Sequence, residues 1–330
     1  AACRRCPGPG ATAAPLAVAA AAAPHQKKIE QFPLNCMELF ETLDSYWMKK
    51  EGLVFYPFDR TKQAYFYGNT VNQKPVNEYD LMVNEALTKE EYETSVFMAK
   101  QAISSGQIKK VVLARNEIIS GEHDPFDVFK NAVKKYTSSY GYYVNIGPEQ
   151  WVGASPELLI HYEDGILSTI ALAGTKSLNE KFTPKEENEQ LLVCDFIEEK
   201  LDLLGLTDFQ KSATTEENFN TIKHLKTAYE VPCSQQEALE LLKSLQPTSA
   251  VCGLPRDRSF EFIQDFETMN RSFYSGMTGI LKKDSATLFV NLRCMRFYQN
   301  TIELFAGAGI TEDSDPTAEW EETEKKIAAI

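Results

Sequence analysis

The sequence has few cysteines and no long hydrophobic run. Its seven cysteines are an odd number and too sparse to form a disulfide framework across 330 residues, so we expect a reducing compartment. No run reaches the roughly 18 consecutive apolar residues that a membrane-spanning helix requires. We therefore expect a cytoplasmic protein with no membrane association.

Positive charge is also scarce. The chain has 34 Lys and Arg residues against 47 Asp and Glu residues, which gives a net charge of −13. This balance argues against a nucleic-acid-binding protein, because phosphate binding requires a basic surface. A small anionic substrate remains compatible with it, since a bound cation and a few local basic groups can reverse the field inside a cleft.

Residues 1–24 differ in composition from the rest of the chain. They are rich in Ala, Pro and Gly, include Arg4 and Arg5, and no acidic residue precedes Glu30. A transit or signal peptide would explain the arginines and the apolar stretch Leu16–Ala23, and a transit peptide would place the protein in a plastid. An artefact at a gene boundary would explain the missing initiator Met. In each case we expect a disordered segment outside the fold.

Residues 25–330 alternate short strand patterns with amphipathic helices, and we expect them to form a single catalytic domain. Thr88 and Glu91 form a capping box at the start of a helix. Leu158–Ala173 has the pattern of a β-hairpin, and Ala286–Phe297 has the pattern of one strand. Strands at hairpin spacing with helices between them predict an α+β fold with mainly antiparallel sheets, rather than a doubly wound parallel sheet.

Six short blocks follow one another in the sequence between about Glu90 and Lys326. They are Lys110-Val-Val-Leu-Ala-Arg115, Gly153-Ala-Ser-Pro-Glu157, Leu172-Ala-Gly-Thr175, Pro247-Thr-Ser-Ala-Val-Cys-Gly253, Leu304-Phe-Ala-Gly-Ala-Gly-Ile310 and Glu319-Trp-Glu-Glu-Thr323. In this order they resemble the chorismate-utilising enzymes, a family that includes isochorismate, salicylate and anthranilate synthases. The resemblance implies large, mainly antiparallel β-sheets flanked by helices, chorismate as the substrate and Mg²⁺ as the cofactor.

Two residues of these blocks are assigned to catalysis by the resemblance. Lys110 would otherwise be interpreted as a solvent-facing lysine at a strand start, and Glu157 as a strand-edge carboxylate. Family members that add water to chorismate have a lysine at the first position, and those that add ammonia have a glutamine. The resemblance therefore implies that Lys110 deprotonates a water that attacks C2, while Glu157 protonates the departing C4 hydroxyl. Both roles depend on burial and neighbouring charges, so we expect a buried amine.

Three acidic residues are candidate metal ligands. Glu319 and Glu322 are three residues apart on the predicted final helix and share one face, although a solvated acidic surface is the ordinary interpretation of such spacing. The resemblance makes these two residues and Glu189 the ligands of Mg²⁺, a hard cation that prefers oxygen donors. The metal would bind the ring carboxylate of chorismate.

The remaining substrate contacts also come from the resemblance. Arg293 and Tyr274 match contacts to the enolpyruvyl carboxylate, and both lie in predicted strands, where ordinary cross-strand pairing is the alternative. The other matched positions are Gly174, Thr175, Gly307 and Gly309, where small residues let the backbone approach the ligand, together with His224, Ala250 and Lys326.

Several alternatives remain open within and outside the family. Lys110 and Ala250 together favour an isochorismate synthase, which is an isomerase, in menaquinone or siderophore biosynthesis. Salicylate synthases share the lysine but tend to have a threonine at the position of Ala250, and anthranilate or aminodeoxychorismate synthases are a further alternative. The segment before Lys110 is short for the family, so a truncated, inactive chorismate-binding homologue is the alternative of another class. We expect a monomer or a weak homodimer.

Overall fold

The computed structural model describes residues 17–25, 29–33, 37–40, 42–47, 49–68, 83–146, 148–219 and 221–330. Within these ranges the chain forms two antiparallel β-sheets and six α-helices. The strands are β1 Ala17–Ala22, β2 Glu30–Pro33, β3 Met37–Phe40, β4 Gly52–Tyr56, β5 Ala64–Gly68, β6 Lys110–Ser120, β7 Tyr140–Ile146, β8 Glu149–Ser155, β9 Leu158–Glu163, β10 Ile166–Ser177, β11 Gln210–Lys211, β12 Thr215–Phe219, β13 Ile222–Pro232, β14 Gly253–Leu254, β15 Met277–Leu281, β16 Ser285–Val290, β17 Cys294–Tyr298 and β18 Thr301–Ile310. The helices are α1 Lys89–Ser104, α2 Pro125–Lys135, α3 Pro184–Leu203, α4 Gln235–Leu245, α5 Arg256–Phe266 and α6 Pro316–Ala328.

The two sheets differ in size and strand order. The first sheet has eight strands in the order β14-β6-β18-β17-β8-β7-β1-β2, and the second has ten strands, with the path β11-β13-β10-β9-β16-β15-β4-β5-β3 and β12 paired to β13. The predicted α+β class with mainly antiparallel sheets is therefore confirmed.

An aromatic core fills the space between the sheets. Phe55 on β4 of the second sheet stacks on Phe273 at a centroid distance of 4.3 Å and contacts Trp151 on β8 of the first sheet at 6.0 Å. Trp151 in turn stacks on Phe305 on β18 at 5.4 Å. Such ring pairs add to the free energy of apolar burial, so this core fixes the two sheets face to face.

The helices cover the outer faces of the sheets. α3 and α4 pack on the second sheet through an aliphatic cluster that includes Ile197, Leu201, Leu241 and Leu242. α1, α5 and α6 pack on the first sheet. The predicted capping box of α1, made by Thr88 and Glu91, is present. No helix in the described ranges is long and apolar enough to cross a membrane.

Two expectations about the fold are wrong. Residues 1–24 were expected to lie outside it, but Ala17–Ala22 form β1, which pairs with β2 and β7 and has buried alanines from residue 19 to 22. Short side chains let this strand fit closely into the sheet, so its low complexity is compatible with burial. Residues 1–16 lie outside the described ranges.

The second correction concerns Ala286–Phe297, which was expected to be one strand. The chain instead forms β16 in one sheet and β17 in the other, with residues 291–293 between them. Arg293 has a φ of 49°, in the left-handed region, and this turn directs the chain from the second sheet to the first. The crossover places Arg293 between the sheets.

Candidate active site

A pocket opens between the two sheets beneath α3 and α6. Strands β6 and β18 of the first sheet line one side, and β10 and β13 of the second sheet line the other. All nine residues predicted to bind the substrate line this pocket, together with Glu157 and Glu189: they are Gly174, Thr175, His224, Ala250, Tyr274, Arg293, Gly307, Gly309 and Lys326. Residues spread over more than 150 positions of the sequence therefore converge on one cavity.

Lys110, at the start of β6, lies behind the wall of the pocket and is fully buried. Its Nζ atom lies 3.1 Å from Oε1 of Glu189 on α3. Gly309 makes this approach possible, because a Cβ atom there would lie 2.3 Å from the same Glu189 oxygen and 3.0 Å from Cε of Lys110. The expected burial of the amine is present, and its partner is a predicted metal ligand.

Glu157 follows β8 and is also buried, with 5% of its surface exposed. Burial raises the pKa of its carboxyl to about 8, against the opposing influence of Lys110, Thr248 and Lys326. The carboxyl is therefore protonated at neutral pH, as a group that donates a proton must be. Thr248 lies in the Pro247–Gly253 block but was not among the predicted site residues.

His224 and Arg293 form a hydrogen-bonded pair in the wall of the pocket. Nδ1 of His224 donates to the Gly174 carbonyl at 3.0 Å, and Nε2 lies 3.4 Å from a guanidinium nitrogen of Arg293. Burial, Arg293 and Lys326 lower the pKa of His224 to about 3, so the ring is neutral and Nε2 accepts from the guanidinium. Arg293 also donates to the Lys326 carbonyl at 2.8 Å, which ties β17 to α6.

Neither of the predicted carboxylate-binding residues lies in a strand, contrary to the sequence interpretation. Arg293 occupies the crossover before β17, and Tyr274 lies in the turn before β15. The Tyr274 ring is buried and stacks on Phe305 at 5.3 Å. Turns, rather than strands, thus present a guanidinium and a phenol to the pocket.

Each of the three predicted metal ligands is paired with a lysine. Glu189 pairs with Lys110, as described above. Glu319 on α6 accepts from Lys185 on α3 at 2.5 Å, and Glu322 pairs with Lys326 at 2.7 Å. Burial and the neighbouring Glu322 raise the pKa of Glu319 to about 7, although Lys185 opposes the shift. Three carboxylates and three ammonium groups therefore lie together at one end of the pocket.

The donor set agrees with a hard divalent cation. All three groups are carboxylates, and Oε2 of Glu319 is buried without a hydrogen-bond partner among the described residues. No three His, Cys, Asp or Glu side chains in the described part of the chain are arranged to hold a metal ion, and each of the three acids is paired with a lysine instead. The residues fit Mg²⁺ if it replaces these lysines as the partner of the carboxylates.

Residues 57–330 match the model of the chorismate binding enzyme family. The chain belongs to this family. The family resemblance expected from the six blocks is thus confirmed.

The relatives of this family member include isochorismate synthases and anthranilate synthases. Isochorismate synthase MenF of Escherichia coli (strain K12) is 30% identical over 252 residues, which cover 71% of this chain and 57% of the relative. Anthranilate synthase component 1 of Acetivibrio thermocellus is 28% identical over 267 residues, covering 76% and 54%. The chain therefore spans a little over half the length of these curated relatives.

The fold agrees with a solved structure of the family. The structure of MenF, the menaquinone-specific isochorismate synthase from Escherichia coli, superposes with a TM-score of 0.77 and 22% sequence identity, covering 94% of this chain and 86% of that one. This likeness establishes the fold. Because the identities to isochorismate and anthranilate synthases are nearly equal, similarity alone does not decide between these two activities.

Lys185 is the main residue of the site that sequence reasoning missed. It lies in the first turn of α3, 134 residues before its partner Glu319. No local pattern distinguishes it from an exposed helical lysine, since its environment is created by the packing of α3 against α6.

Proposed function

We propose that the protein is an isochorismate synthase, which converts chorismate to isochorismate with Mg²⁺ as cofactor. The observation that carries the proposal is that Lys110 is fully buried and that its amine lies 3.1 Å from the Glu189 carboxylate, which lines the pocket. By the family resemblance, lysine at this position accompanies water as the nucleophile, whereas glutamine accompanies ammonia. Ala250, which lines the pocket, supports the same choice over salicylate synthase.

The reaction is an exchange of one hydroxyl for another around the ring. Lys110 takes a proton from water as the water oxygen bonds to C2. The two ring double bonds shift, the C4–O bond breaks, and the proton of Glu157 leaves with the C4 hydroxyl as water. One water enters and one leaves, so the product is an isomer of the substrate. General acid and base assistance of this kind accelerates a reaction by about 10² to 10⁴-fold for each group.

The other side chains hold the substrate. Arg293 and the Tyr274 hydroxyl would bind the enolpyruvyl carboxylate, and the neutral His224 keeps the guanidinium oriented through its Nε2 atom. Glu189, Glu319 and Glu322 would hold Mg²⁺, which supplies the positive charge that lets the ring carboxylate of chorismate lie beside these acids. The buried walls exclude bulk water, so that only a positioned water reaches C2.

Product analysis tests the proposal. Purified protein is incubated with chorismate and Mg²⁺, with and without ammonium, and the products are separated by chromatography. Isochorismate as the main product supports the proposal. Salicylate with pyruvate would assign a salicylate synthase, and an amino product formed with ammonium would assign an anthranilate or aminodeoxychorismate synthase. Chorismate binding without turnover would assign an inactive homologue.

A further inference from the structure

Two backbone segments separate from each other at the edge of the pocket. Strand β14 pairs with β6 only through Gly253 and Leu254, and the last backbone bond runs from the Val112 amide to the Cys252 carbonyl at 2.8 Å. Before Cys252 the segment is a turn, in which the Val251 and Cys252 amides donate to the Thr248 carbonyl instead of to β6, and Val112 and Val251 both line the opening. The width of this gap sets the distance between two walls of the pocket.

The side chain of Arg271 bridges the gap. Its Nη2 atom donates to the Val112 carbonyl at 2.7 Å, and its Nη1 atom donates to the Val251 carbonyl at 2.8 Å. Only 3% of the side chain is exposed. Because the guanidinium is planar and rigid, two donors of one group hold two acceptors at a fixed separation.

Glu267 fixes the guanidinium from the other side. Its carboxylate accepts from Nε of Arg271 at 2.7 Å and from the Ala114 amide at 2.7 Å. The ion pair thus binds a carbonyl and an amide of β6 where the short β14 no longer reaches them. Buried backbone N–H and C=O groups require hydrogen-bond partners. The Arg271 and Glu267 side chains provide the partners that a longer β14 would otherwise provide.

Each segment held by this pair carries a residue of the site. Val112 follows the proposed base Lys110 by two positions, Val251 follows Ala250, and the Arg271 carbonyl accepts from the Tyr274 amide at 2.8 Å. We propose that Arg271, held by Glu267, is a positioning residue that sets the distance between the proposed base on β6 and the opposite wall of the pocket. This inference rests on the proposed function for the identity of the base.

The test compares Arg271→Lys with Arg296→Lys. Arg296 is a matched control, because it is equally buried and forms ion pairs with Glu149 and Glu303, but its guanidinium donates to these carboxylates and not to carbonyls of the pocket wall. A lysine keeps the charge beside each acid but cannot hold two carbonyls in a rigid fork. The measurements are the thermal midpoint, chorismate affinity by calorimetry, kcat and KM from chorismate consumption, and amide hydrogen exchange.

The inference predicts that Arg271→Lys lowers kcat at least about tenfold per folded molecule, since small misplacements of reacting groups cost up to about 10²-fold. Chorismate affinity changes less than kcat, and exchange accelerates in residues 110–114 and 247–253. Arg296→Lys loses thermal stability to a similar extent but keeps kcat. A folded Arg271→Lys protein that retains kcat within twofold, with unchanged exchange in those two segments, would overturn the inference.

The variant could fail to fold, or the wild-type protein could lack activity, and each outcome has its own measurement. If Arg271→Lys does not fold, Glu267→Gln is measured in its place with the same expectations, because it loosens the guanidinium while keeping a hydrogen-bonding side chain. If the wild-type protein consumes no chorismate, the proposed function fails. Hydrogen exchange then decides whether Arg271 holds the two segments, because unchanged protection of residues 110–114 and 247–253 in the variant would overturn the inference whatever the reaction is.

Discussion

The amine of Lys110 and the carboxylate of Glu189 lie 3.1 Å apart inside the protein. Burial opposes ionisation of Glu189, but Lys110, Lys326 and Lys185 together hold its pKa below the ordinary value. The proposed base is therefore paired with a proposed metal ligand. A cation held by Glu189 would weaken the ion pair between this carboxylate and Lys110.

Gly309→Ala should break this arrangement without unfolding the protein. The added methyl group would lie 2.3 Å from the Glu189 carboxylate, and the end of a flexible side chain can move away. We expect a large loss of kcat with a thermal midpoint within a few degrees of the wild type. Gly307→Ala is the control, because its contacts with Leu113 and Tyr274 begin at 3.1 Å and should cost less activity. Equal kcat values for the two variants would contradict the prediction.

The activity should depend on a proton held by Glu157. Its pKa is raised to about 8 by burial, so the acid is protonated below that pH and ionised above it. We expect kcat/KM to fall about tenfold per pH unit above pH 8. Glu157→Gln should lower kcat by about 10² to 10⁴-fold and remove the dependence on this group. A wild-type profile that stays level to pH 10 would argue against Glu157 as the acid.

His224 should make the fold sensitive to acid. Its pKa is lowered to about 3 from an ordinary value of 6.5, so between these values the unfolded chain binds a proton that the folded chain does not. The stabilisation is complete above pH 6.5 and is lost as the pH falls towards 3. Lowering the pH from 7.5 to 4.5 should therefore cost the wild type about 2 to 3 kcal/mol more than His224→Asn.

Denaturant unfolding at both pH values measures this difference. Parallel curves for the wild type and His224→Asn would show that the buried ring does not stay neutral in the folded protein.

Lys185 should compete with Mg²⁺ for Glu319. The ammonium lies 2.5 Å from the carboxylate, so the metal must displace it. We expect Lys185→Met to bind Mg²⁺ several-fold more tightly in calorimetric titrations of the protein without substrate. Lys181→Met removes the same charge from an exposed position near α3 and should leave the affinity unchanged. Weaker binding by Lys185→Met would mean that the lysine supports the metal site.

Local signals predicted much of this structure. The capping box of Thr88 and Glu91 and the hairpin through β9 and β10 are confirmed, because each depends on residues close in sequence. The crossover at residues 291–293 was missed, since Leu292 continues the alternation between two polar residues, and the change of sheet depends on pairing with strands distant in sequence.

The site likewise contains residues that the sequence predicted and residues that it did not. The family resemblance identified all nine predicted substrate-binding residues together with Glu157 and Glu189, and these residues line one pocket. Lys185, and the bridge made by Arg271 and Glu267, could not be predicted from the sequence. They depend on how α3 meets α6 and on how far β14 extends along β6, which is decided by packing between distant segments.

Isotope labelling of the product tests the central claim most directly. Chorismate is converted in ¹⁸O-labelled water, and isochorismate is examined by mass spectrometry for the wild type, Lys110→Ala and the exposed neighbour variant Lys109→Ala. We expect one labelled oxygen in the wild-type product, an unchanged rate for Lys109→Ala, and a rate at least about 10²-fold lower for Lys110→Ala. Unlabelled isochorismate, or a Lys110→Ala variant with the wild-type rate, would contradict water attack assisted by Lys110.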